Sequence, residues 1–369
     1  MKIPLVDLKA QYLSLAEEIG PAVRSVFEST SFILGEDVTR FENEFAAFCG
    51  TGFCVGVANG TDAIQLACRA AGIEPGDEVI VPANTFVATL LGVQQAGGRP
   101  VLVDCQEKDF LIDPDLIAQA ITPRTKAIMP VHLYGQCANM EKIMAIAKAN
   151  HLQIIEDAAQ AHGASFQGRR AGNFGALGCF SFYPGKNLGA YGDGGACVTN
   201  SPELSEKLKL LRNWGSVRKY HHDVFGINSR LDTVQAAILR IKLKRLEQWN
   251  SARRQHAASY SARLRALPQV KTPVTNPGCE HVFHLYVIRV PQRDRVLEQL
   301  NQNGVGAGIH YPIPTHLSPA FAPLGYRRGS FPVTEELAGK ILSLPLYAEL
   351  TEEQIVYVVK QLELALTKV

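Results

Sequence analysis

One lysine stands in a loop whose other residues are mostly glycine, proline and aromatic. This residue, Lys186, lies within Ser181-Phe-Tyr-Pro-Gly-Lys-Asn-Leu-Gly-Ala-Tyr-Gly-Asp-Gly-Gly195. Glycine lets a backbone close around a flat ligand, because it has no Cβ to clash. Upstream of the loop, an apolar run ends in Asp157. A lysine that can form a Schiff base, together with an acid that can pair with a pyridinium nitrogen, is what pyridoxal 5′-phosphate requires.

Both residues also have ordinary structural explanations. Most lysines are simply solvated, but the glycines around Lys186 favour a shaped site. To act as a nucleophile the amine must lose its proton, which apolar or cationic surroundings would promote. Asp157 could be a turn or helix-cap carboxylate; as a cofactor partner it would keep the ring nitrogen protonated. The neighbouring Glu156 is the poorer candidate, since successive strand residues face opposite sides of a sheet.

The turn Asn59-Gly60-Thr61-Asp62 is a candidate phosphate site. It lies between an apolar run and a helical segment, and the free amides at a helix N-terminus attract anions. A plain N-capping turn would explain the same residues. We favour the phosphate site, because this turn, Ser181 and Asp157 should all lie at the rim where the strands of a parallel sheet end.

Five further residues are weaker candidates, each with a structural alternative. Phe86 follows a strand and could stack on a pyridine ring, although core packing is the default for phenylalanine. Gln160 could bond the hydroxyl of that ring or be a satisfied polar residue. Arg230 offers a planar fork for a carboxylate or a phosphate. His310 and Tyr311 precede a proline, which predicts an extended segment, and they could equally form a polar loop between domains.

The elements that would position these residues follow from the hydrophobic pattern. Seven short apolar runs predict buried strands, at residues 55–58, 78–82, 100–104, 127–132, 153–157, 178–182 and 196–199. The runs are continuous rather than alternating, as in a sheet covered on both faces. Helical segments at 61–71 and 140–150 predict a mostly parallel α/β sheet. The segments after Asp157 and Phe182 are too rich in glycine for crossover helices, so we expect loops and at least one antiparallel strand.

Beyond residue 200 the pattern changes to helices with a single strand. We predict helices at 203–213, 231–249, 251–266, 293–302 and 351–366, and a strand at 284–290. Asn228 or Ser229 would cap the second of these helices. We therefore expect a large cofactor-binding α/β domain over residues 1–250 and a smaller C-terminal α+β domain over residues 251–369.

The composition argues against several other classes. The chain has 369 residues and a formal net charge of +2, which leaves no basic footprint for nucleic acid or an anionic membrane. No apolar run is long enough to span a bilayer, and the first residues lack the apolar core of a signal peptide. The eight cysteines are scattered and the ten histidines show no zinc spacing. We expect reduced thiols, no metal site and a cytoplasmic protein.

Six motifs resemble those of the nucleotide-sugar aminotransferases of the DegT/StrS family, a branch of the fold-type-I pyridoxal phosphate enzymes. They occur in the family's order along nearly the whole chain, as Ala58-Asn-Gly-Thr-Asp-Ala63, Pro82-Ala-Asn-Thr-Phe-Val-Ala88, Glu156-Asp-Ala-Ala-Gln-Ala-His-Gly-Ala164, Phe182-Tyr-Pro-Gly-Lys-Asn-Leu-Gly189, Gly192-Asp-Gly-Gly195 and Asn228-Ser-Arg-Leu-Asp232. The resemblance implies the fold-type-I aminotransferase architecture and a homodimer with its active sites at the subunit interface.

The resemblance also implies a role for each candidate residue. Lys186 would hold the cofactor covalently. The cofactor ring would be contacted by Asp157, Phe86 and Gln160. Its phosphate would be bound by Gly60, Thr61, Ser181 and, from the other subunit, Asn228. The substrate would be contacted by Tyr183 and, from the other subunit, by Arg230, His310 and Tyr311.

The same resemblance bears on the reaction. The family's dehydratases carry histidine at the lysine position, so Lys186 favours transamination. Gln160 is shared with members that act on 3-keto sugars and on keto-inositols. The segment 212–216 with Lys219 and Tyr220 resembles enzymes for 3-keto-6-deoxyhexoses. The segments 129–137 and 220–222 instead resemble enzymes for a UDP-linked 3-keto uronic acid.

The resemblance therefore implies transfer of an amino group from L-glutamate to a keto sugar nucleotide, foremost a dTDP-3-keto-6-deoxyhexose. A UDP-linked 3-keto uronic acid is the next substrate class, followed by a keto-inositol or a 4-keto sugar. Two other classes of protein stay open. One is a cofactor-binding regulatory protein without turnover. The other is an α/β nucleotide-binding protein without this cofactor, although no Gly-x-Gly-x-x-Gly follows the first strand.

Overall fold

The computed structural model describes residues 1–218 and 220–367. Lys219, part of the resemblance to 3-keto-6-deoxyhexose enzymes, lies outside the described residues. The strands are β1 Phe53–Val57, β2 Glu78–Pro82, β3 Arg99–Val103, β4 Thr125–Ile128, β5 Gln153–Asp157, β6 Ser165–Phe166, β7 Arg169–Arg170, β8 Leu177–Ser181, β9 Gly195–Thr199, β10 Ser216–Arg218, β11 His221–His222, β12 Cys279–Glu280, β13 Tyr286–Arg289 and β14 Ile341–Leu344. The α-helices are α1 Leu8–Ser29, α2 Glu36–Cys49, α3 Gly60–Ala70, α4 Val87–Gln95, α5 Pro114–Ala120, α6 Met140–Ala149, α7 Pro202–Leu211, α8 Thr233–Leu243, α9 Leu246–Leu264, α10 Arg293–Gln302, α11 Pro332–Ala338 and α12 Glu352–Thr367.

The central sheet of the described residues has seven strands in the order β1-β9-β8-β5-β4-β2-β3. Strand β9 runs antiparallel to both β1 and β8, and the other adjacent pairs are parallel. These are the seven strands that the apolar runs predict, and the antiparallel strand follows a glycine-rich segment as expected. The predicted mostly parallel α/β fold is confirmed.

Strand β4 is shorter than the pattern predicts. The apolar run 127–132 indicates a strand up to His132, but regular pairing ends at Ile128. Pro130 has no N–H to donate to a neighbouring strand. An isolated bridge between Val131 and Asp157 then continues the contact, so the chain still reaches the end of β5.

Helices cover both faces of the central sheet. Helices α2, α6 and α8 contribute to one core layer and helices α3, α4 and α7 to the other. The consecutive residues Ile154 and Ile155 of β5 belong to opposite layers. Because both faces are buried, the strands are apolar throughout rather than at alternate positions.

The C-terminal part of the chain has a core of its own. Helices α9, α10 and α12 pack around the antiparallel pair of β13 and β14, and Ile3 from the N-terminal segment joins them. Strand β14 has no counterpart in the sequence prediction, and neither do helices α1 and α2. The division into two domains near residue 250 stays a prediction, and that residue lies inside α9.

The predicted bounds of the helices around residue 250 are wrong. In place of helices at 231–249 and 251–266, the chain forms α8 and α9, with a break after Leu243. The polar Asn250 suggests a helix end, but its side chain is buried and donates to the carbonyl of His162, so the helix continues through it. Helix α8 begins later than expected. Its N-cap is Asp232, neither Asn228 nor Ser229.

Candidate active site

A cavity of about 670 Å³ lies at the carboxyl ends of the parallel strands. It is lined by all predicted site residues except Asn228 and Arg230, namely Gly60, Thr61, Phe86, Asp157, Gln160, Ser181, Tyr183, Lys186, His310 and Tyr311. Ligands of parallel α/β sheets bind at this edge. The sequence prediction that these residues meet at one rim is therefore met by the geometry of the chain.

The first turn of α3 forms an amide cradle beside Ser181. Asn59 is the N-cap, and its Oδ1 accepts a hydrogen bond of 2.9 Å from the amide of Asp62. The amides of Gly60 and Thr61, at the helix start, have no acceptor within the helix. A Cβ on Gly60 would lie 2.6 Å from Cβ of Ser181, so only glycine allows this approach. The turn is thus both a capped helix start and a cradle for an anion.

Asp157 ends β5 and is buried, with donors placed at both carboxylate oxygens. Thr89 Oγ1 donates to Oδ2 at 2.7 Å, and the amide of Ala159 donates to Oδ1 at 3.2 Å. Thr85 in turn contacts the Thr89 hydroxyl at 2.6 Å. Burial raises the pKa of Asp157, and the hydrogen bond from Thr89 opposes that rise. A cationic N–H facing this carboxylate would restore its charged form, which suits a pyridinium nitrogen.

Glu156 faces the opposite side of β5, as the strand alternation predicts. Its Oε1 accepts from the amides of Phe174 and Gly175 at 2.6 and 2.7 Å. Its Oε2 accepts from the amide of Gly172 at 2.7 Å and lies 2.9 Å from His132 Nε2. These contacts fix the loop before β8. Glu156 is a structural residue outside the cavity.

Lys186 is half-buried at the base of the cavity. Crowding by surrounding protein lowers the pKa of its amine to about 8, and the charge of Asp157 partly offsets that fall. The loop turns back on itself through a hydrogen bond of 2.8 Å from the Lys186 amide to the carbonyl of Tyr183. An amine with this pKa is partly unprotonated near neutral pH. The shaped-site interpretation of Lys186 therefore fits better than that of a solvated lysine.

Gln160, Tyr311 and Phe86 form one side of the cavity. Gln160 accepts from the amide of Tyr134 at 2.7 Å and donates to the Tyr311 hydroxyl at 3.0 Å. The ring of Phe86, which is 47% exposed, has its centroid 5.2 Å from that of Tyr311. Phe86 is thus free to cover a flat ring, because it is not part of the core.

The expected subunit origin of His310 and Tyr311 is wrong. Both residues line the cavity of their own chain, beside Lys186. His310 is anchored to β14, because its Nδ1 lies 2.8 Å from the hydroxyl of Ser343, and Gly308 just before it pairs with the same residue. Sequence reasoning missed β14 and with it this anchor, which brings the C-terminal region back over the sheet edge.

Two residues of the cavity and its surroundings were missed by sequence reasoning. Thr89 lies one turn after Phe86 in α4, and only its tertiary contact with Asp157 indicates a role. His284 lines the cavity just before β13. Its position within the apolar run before β13 carries no signal that separates it from a core histidine.

Asn228 and Arg230 lie in a neighbouring cavity of about 410 Å³. Asp193 lines this cavity and also the cavity of Lys186. Arg230 donates to Asn213 Oδ1 at 3.1 Å, and its guanidinium lies 4.3 Å from the ring centroid of Trp214. The guanidinium is therefore held in place without a carboxylate partner in the described part of the chain.

An exposed apolar patch borders Arg230, and we call it the hairpin patch. It consists of Trp214, Val217, Tyr220 and Phe225, around the antiparallel pair β10 and β11. Phe225 is 93% exposed. A contiguous patch of large apolar side chains at a surface marks an interaction site.

The described residues contain no cluster of three or more His, Cys, Asp or Glu residues that could hold a metal ion. No helix among them has the length and apolar character needed to cross a membrane.

An amine of lowered pKa, a buried carboxylate and an amide cradle at the edge of an α/β sheet define a fold-type-I pyridoxal phosphate site. The chain belongs to the DegT/DnrJ/EryC1/StrS aminotransferase family, which it matches over residues 13–363. This membership confirms the predicted sugar aminotransferase class and its cofactor, pyridoxal 5′-phosphate. The amide cradle, Asp157 and Lys186 fit the phosphate, the ring nitrogen and the aldehyde of that cofactor.

Relatives of known name share almost the whole chain. The dTDP-3-amino-3,4,6-trideoxy-alpha-D-glucose transaminase of Streptomyces venezuelae is 48% identical over 97% of this chain and 94% of its own. A pleiotropic regulatory protein of Geobacillus stearothermophilus is 48% identical over 98% of both chains. The UDP-2-acetamido-2-deoxy-3-oxo-D-glucuronate aminotransferase of Pseudomonas aeruginosa is 41% identical over 94% of this chain and 95% of its own.

Solved structures share the fold. The crystal structure of S. venezuelae DesV matches with a TM-score of 0.96 and 48% identity, over 99% of this chain and 98% of its own. NtdA of Bacillus subtilis, solved with bound cofactor PMP, matches with a TM-score of 0.91 and 34% identity, over 99% of this chain and 85% of its own. The predicted fold-type-I architecture is thereby confirmed.

Proposed function

We propose that the chain transfers the amino group of L-glutamate to the keto carbon of a nucleotide-linked 3-keto sugar, foremost a dTDP-linked 3-keto-6-deoxyhexose. The observation that carries the proposal is that Lys186 and Asp157 line one cavity beside the amide cradle. The similarity to the S. venezuelae transaminase supports this substrate class. The cytoplasmic location expected from the sequence is part of the same proposal.

The protein's part in binding the cofactor follows from the geometry. When bound, the cofactor supplies an electron sink for the substrate Cα and carries the amino group between the two substrates. The Gly60 and Thr61 amides and the Ser181 hydroxyl hold its phosphate. Asp157, which Thr89 orients, accepts a hydrogen bond from the ring N–H of the cofactor. Phe86 covers one ring face and keeps water from it.

Lys186 moves the proton that transamination requires. Its unprotonated Nζ would take a proton from the Cα of the amino donor, and the resulting ammonium would give that proton to the aldehyde carbon of the cofactor. A pKa near 8 suits both roles, because such an amine gains and loses a proton readily near neutral pH. The keto acid leaves before the keto sugar binds, so the two substrates use the same cavity in turn and the kinetics are ping-pong.

We further propose that the enzyme is a homodimer in which Asn228 and Arg230 complete the active site of the partner. The Lys186 cavity has no arginine among its lining residues in the described part of the chain. Both substrates are anionic, so the site needs a cation besides Lys186. Asn228 and Arg230 lie outside that cavity, next to the hairpin patch. A second copy that buries the patch would bring these residues to the cavity of its partner.

A second candidate substrate is a UDP-linked 3-keto uronic acid. The observation that favours it is the guanidinium of Arg230, which is fixed by Asn213 and Trp214 and could receive the uronate carboxylate. The similarity to the P. aeruginosa aminotransferase supports it. An Arg230→Lys variant should lose uronate turnover far more than deoxyhexose turnover if this candidate is right.

The test is a panel of keto sugar nucleotides, each incubated with L-glutamate whose amino nitrogen carries an isotope label. Each product is analysed by mass spectrometry. Label should enter the dTDP-linked 3-keto-6-deoxyhexose, and the Lys186→Ala variant should give no labelled product. Label confined to a keto-inositol or a 4-keto sugar would overturn the proposed substrate. A protein that holds cofactor but forms no 2-oxoglutarate with any keto sugar would instead be a regulatory protein, as the name of the G. stearothermophilus relative suggests for that protein.

A further inference from the structure

His284 is joined by a hydrogen bond to Asn187, the residue that follows the proposed catalytic lysine. Its Nδ1 lies 3.3 Å from Asn187 Oδ1, and the side chain is 8% exposed. Its other ring nitrogen, Nε2, has no hydrogen bond among the described residues. His284 lines the same cavity as Lys186, so Nε2 is a polar atom without a partner beside the reacting groups.

A chain of hydrogen bonds fixes the orientation of Asn187. Asn250 Nδ2 donates to the backbone carbonyl of His162 at 2.8 Å. A carbonyl can only accept, so Asn250 turns its Oδ1 toward Asn187. Asn187 Nδ2 then donates to Asn250 Oδ1 at 2.8 Å and to the carbonyl of Val282 at 3.0 Å. Its own Oδ1 must therefore face His284.

The orientation of Asn187 sets the tautomer of His284. An amide oxygen only accepts, so Nδ1 of His284 carries the hydrogen. Burial lowers the pKa of His284 well below its ordinary value, and the charges of Lys186 and Arg253 lower it further. A neutral imidazole has one N–H, so Nε2 carries a lone pair. The cavity thus contains a hydrogen-bond acceptor whose position is fixed by four buried side chains and carbonyls.

We propose that His284 is a positioning residue for Lys186, whose released ammonium donates a hydrogen bond to His284 Nε2. The inference rests on the proposed function, in which the amine must stay at the substrate carbon while it carries a proton. Lys186 forms no salt bridge among the described residues, although the charge of Asp157 acts on its amine, and His284 lines the same cavity. Asn187 follows Lys186 in the chain, so its hydrogen bond ties the acceptor to the loop that carries the lysine.

The other titratable groups near this amine act differently. Asp157 attracts the ammonium from the side of the cofactor ring. Burial lowers the pKa of His162 to about 3 and that of His310 to about 4, so both are neutral near pH 7. The hydrogen bonds of Asn250 and Asn187 orient neither of these imidazoles toward the lysine. His162 takes part in them only through its carbonyl, and the ring of His310 contacts Ser343.

The first test uses the full chain freed of cofactor, so its result does not depend on the reaction. The amine of Lys186 is labelled with acetic anhydride over a pH range and quantified by peptide mass spectrometry. In the wild type, labelling should rise with a midpoint below that of an ordinary solvated lysine, because burial lowers the pKa of Lys186. His284→Asn keeps the donor to Asn187 but has no group at Nε2, so the ammonium loses its acceptor and the midpoint should fall by about one pH unit.

His284→Gln is the matched control, because its amide can place an acceptor near the position of Nε2. Its labelling midpoint should stay close to that of the wild type. An unchanged midpoint in His284→Asn, or an equal fall in both variants, would overturn the proposal. This outcome is independent of whether any keto sugar is a substrate.

The second test measures the two half-reactions separately by single-turnover absorbance with the loaded enzyme. His284→Asn should slow the reaction with L-glutamate and the reaction with the keto sugar by the same factor, about tenfold or more. His284→Gln should recover most of both rates. A loss confined to the keto sugar would overturn the proposal, because His284 would then contact a sugar hydroxyl rather than the lysine.

Discussion

Gly60 and Ser181 lie so close together that a methyl group on Gly60 would stand 2.6 Å from Cβ of Ser181. The first residue of α3 and the last residue of β8 therefore meet with only the Ser181 side chain at their contact. On the other side, a Cβ on Gly195 would lie 2.4 Å from the carbonyl carbon of Asn59. The amide cradle is thus closely packed at two glycine contacts, neither of which leaves room for a Cβ.

Gly60→Ala should weaken cofactor binding by about tenfold or more and lower the free energy of unfolding by about 1–3 kcal/mol, because the added methyl forces the cradle apart. Absorbance titration of cofactor and urea unfolding of the cofactor-free protein measure the two effects. Gly20→Ala is the control, since it lies in α1 with nothing within 4 Å of the added Cβ, and it should be neutral or slightly stabilising. Wild-type cofactor affinity in Gly60→Ala would contradict the cradle.

Asp157→Asn should lower turnover by about a hundredfold or more, because a neutral amide does not keep the cofactor ring protonated. The cofactor-free variant should not be less stable at pH 7. Burial raises the pKa of Asp157 in the folded state, so its ionisation opposes folding above that pKa, and this cost disappears as the pH falls through it. The Thr89 hydroxyl can reverse and accept from the new amide.

The control for this change is Asp115→Asn, which removes an exposed carboxylate paired with Lys142. It should leave turnover unchanged, because Asp115 is not among the residues that line the cavity. It should also change the free energy of unfolding little, since surface ion pairs contribute little to stability. Steady-state kinetics and urea unfolding as a function of pH measure both variants. Full turnover in Asp157→Asn would remove the residue from its role.

Cofactor uptake by the cofactor-free enzyme should be faster at higher pH, up to a plateau above about pH 8. Only an unprotonated amine adds to an aldehyde, and burial lowers the pKa of Lys186 to about 8. Stopped-flow absorbance at a series of pH values measures the rate. A midpoint near 10, the value of an ordinary solvated lysine, would contradict the effect of burial. Lys186→Ala should bind cofactor without the covalent product.

Subunit mixing should distinguish a shared active site from a separate one. Lys186→Ala and Asn228→Ala should each be inactive alone. If a partner subunit supplies Asn228, each mixed dimer contains one site with both residues intact, and an equal mixture should recover about a quarter of the wild-type activity. Co-expression with two different tags, followed by tandem purification, isolates the mixed dimer. No recovery would mean that Asn228 serves the cavity of its own chain.

Several residues that line the cavity could be predicted from the sequence, because the local pattern of residue types is enough to find them. Lys186 stands alone among glycines, and Asp157 ends a strand that is recognisable as a continuous apolar run. The amide cradle follows from a strand, a glycine and a helix start in succession. In each case the neighbours along the chain are also the neighbours in space.

Residues that act through tertiary contacts could not be predicted in this way. Thr89 orients Asp157 across 68 residues of sequence, and Asn187 meets His284 across 97. The origin of His310 and Tyr311 in their own chain depends on β14, whose four residues give too short a pattern to be recognised. The course of α9 through Asn250 depends likewise on a hydrogen bond to a distant carbonyl.

Strand β9 returns along β8, with Gly195 directly opposite Ser181. The segment that carries Lys186 therefore leaves and re-enters the sheet at the same point. A parallel return would require a crossover of a dozen or more residues, usually helical, over the sheet face. Lys186 lies instead on a loop whose two ends are both fixed in the sheet. In the proposed function, the lysine would release and rebind the cofactor without any change in the strands below.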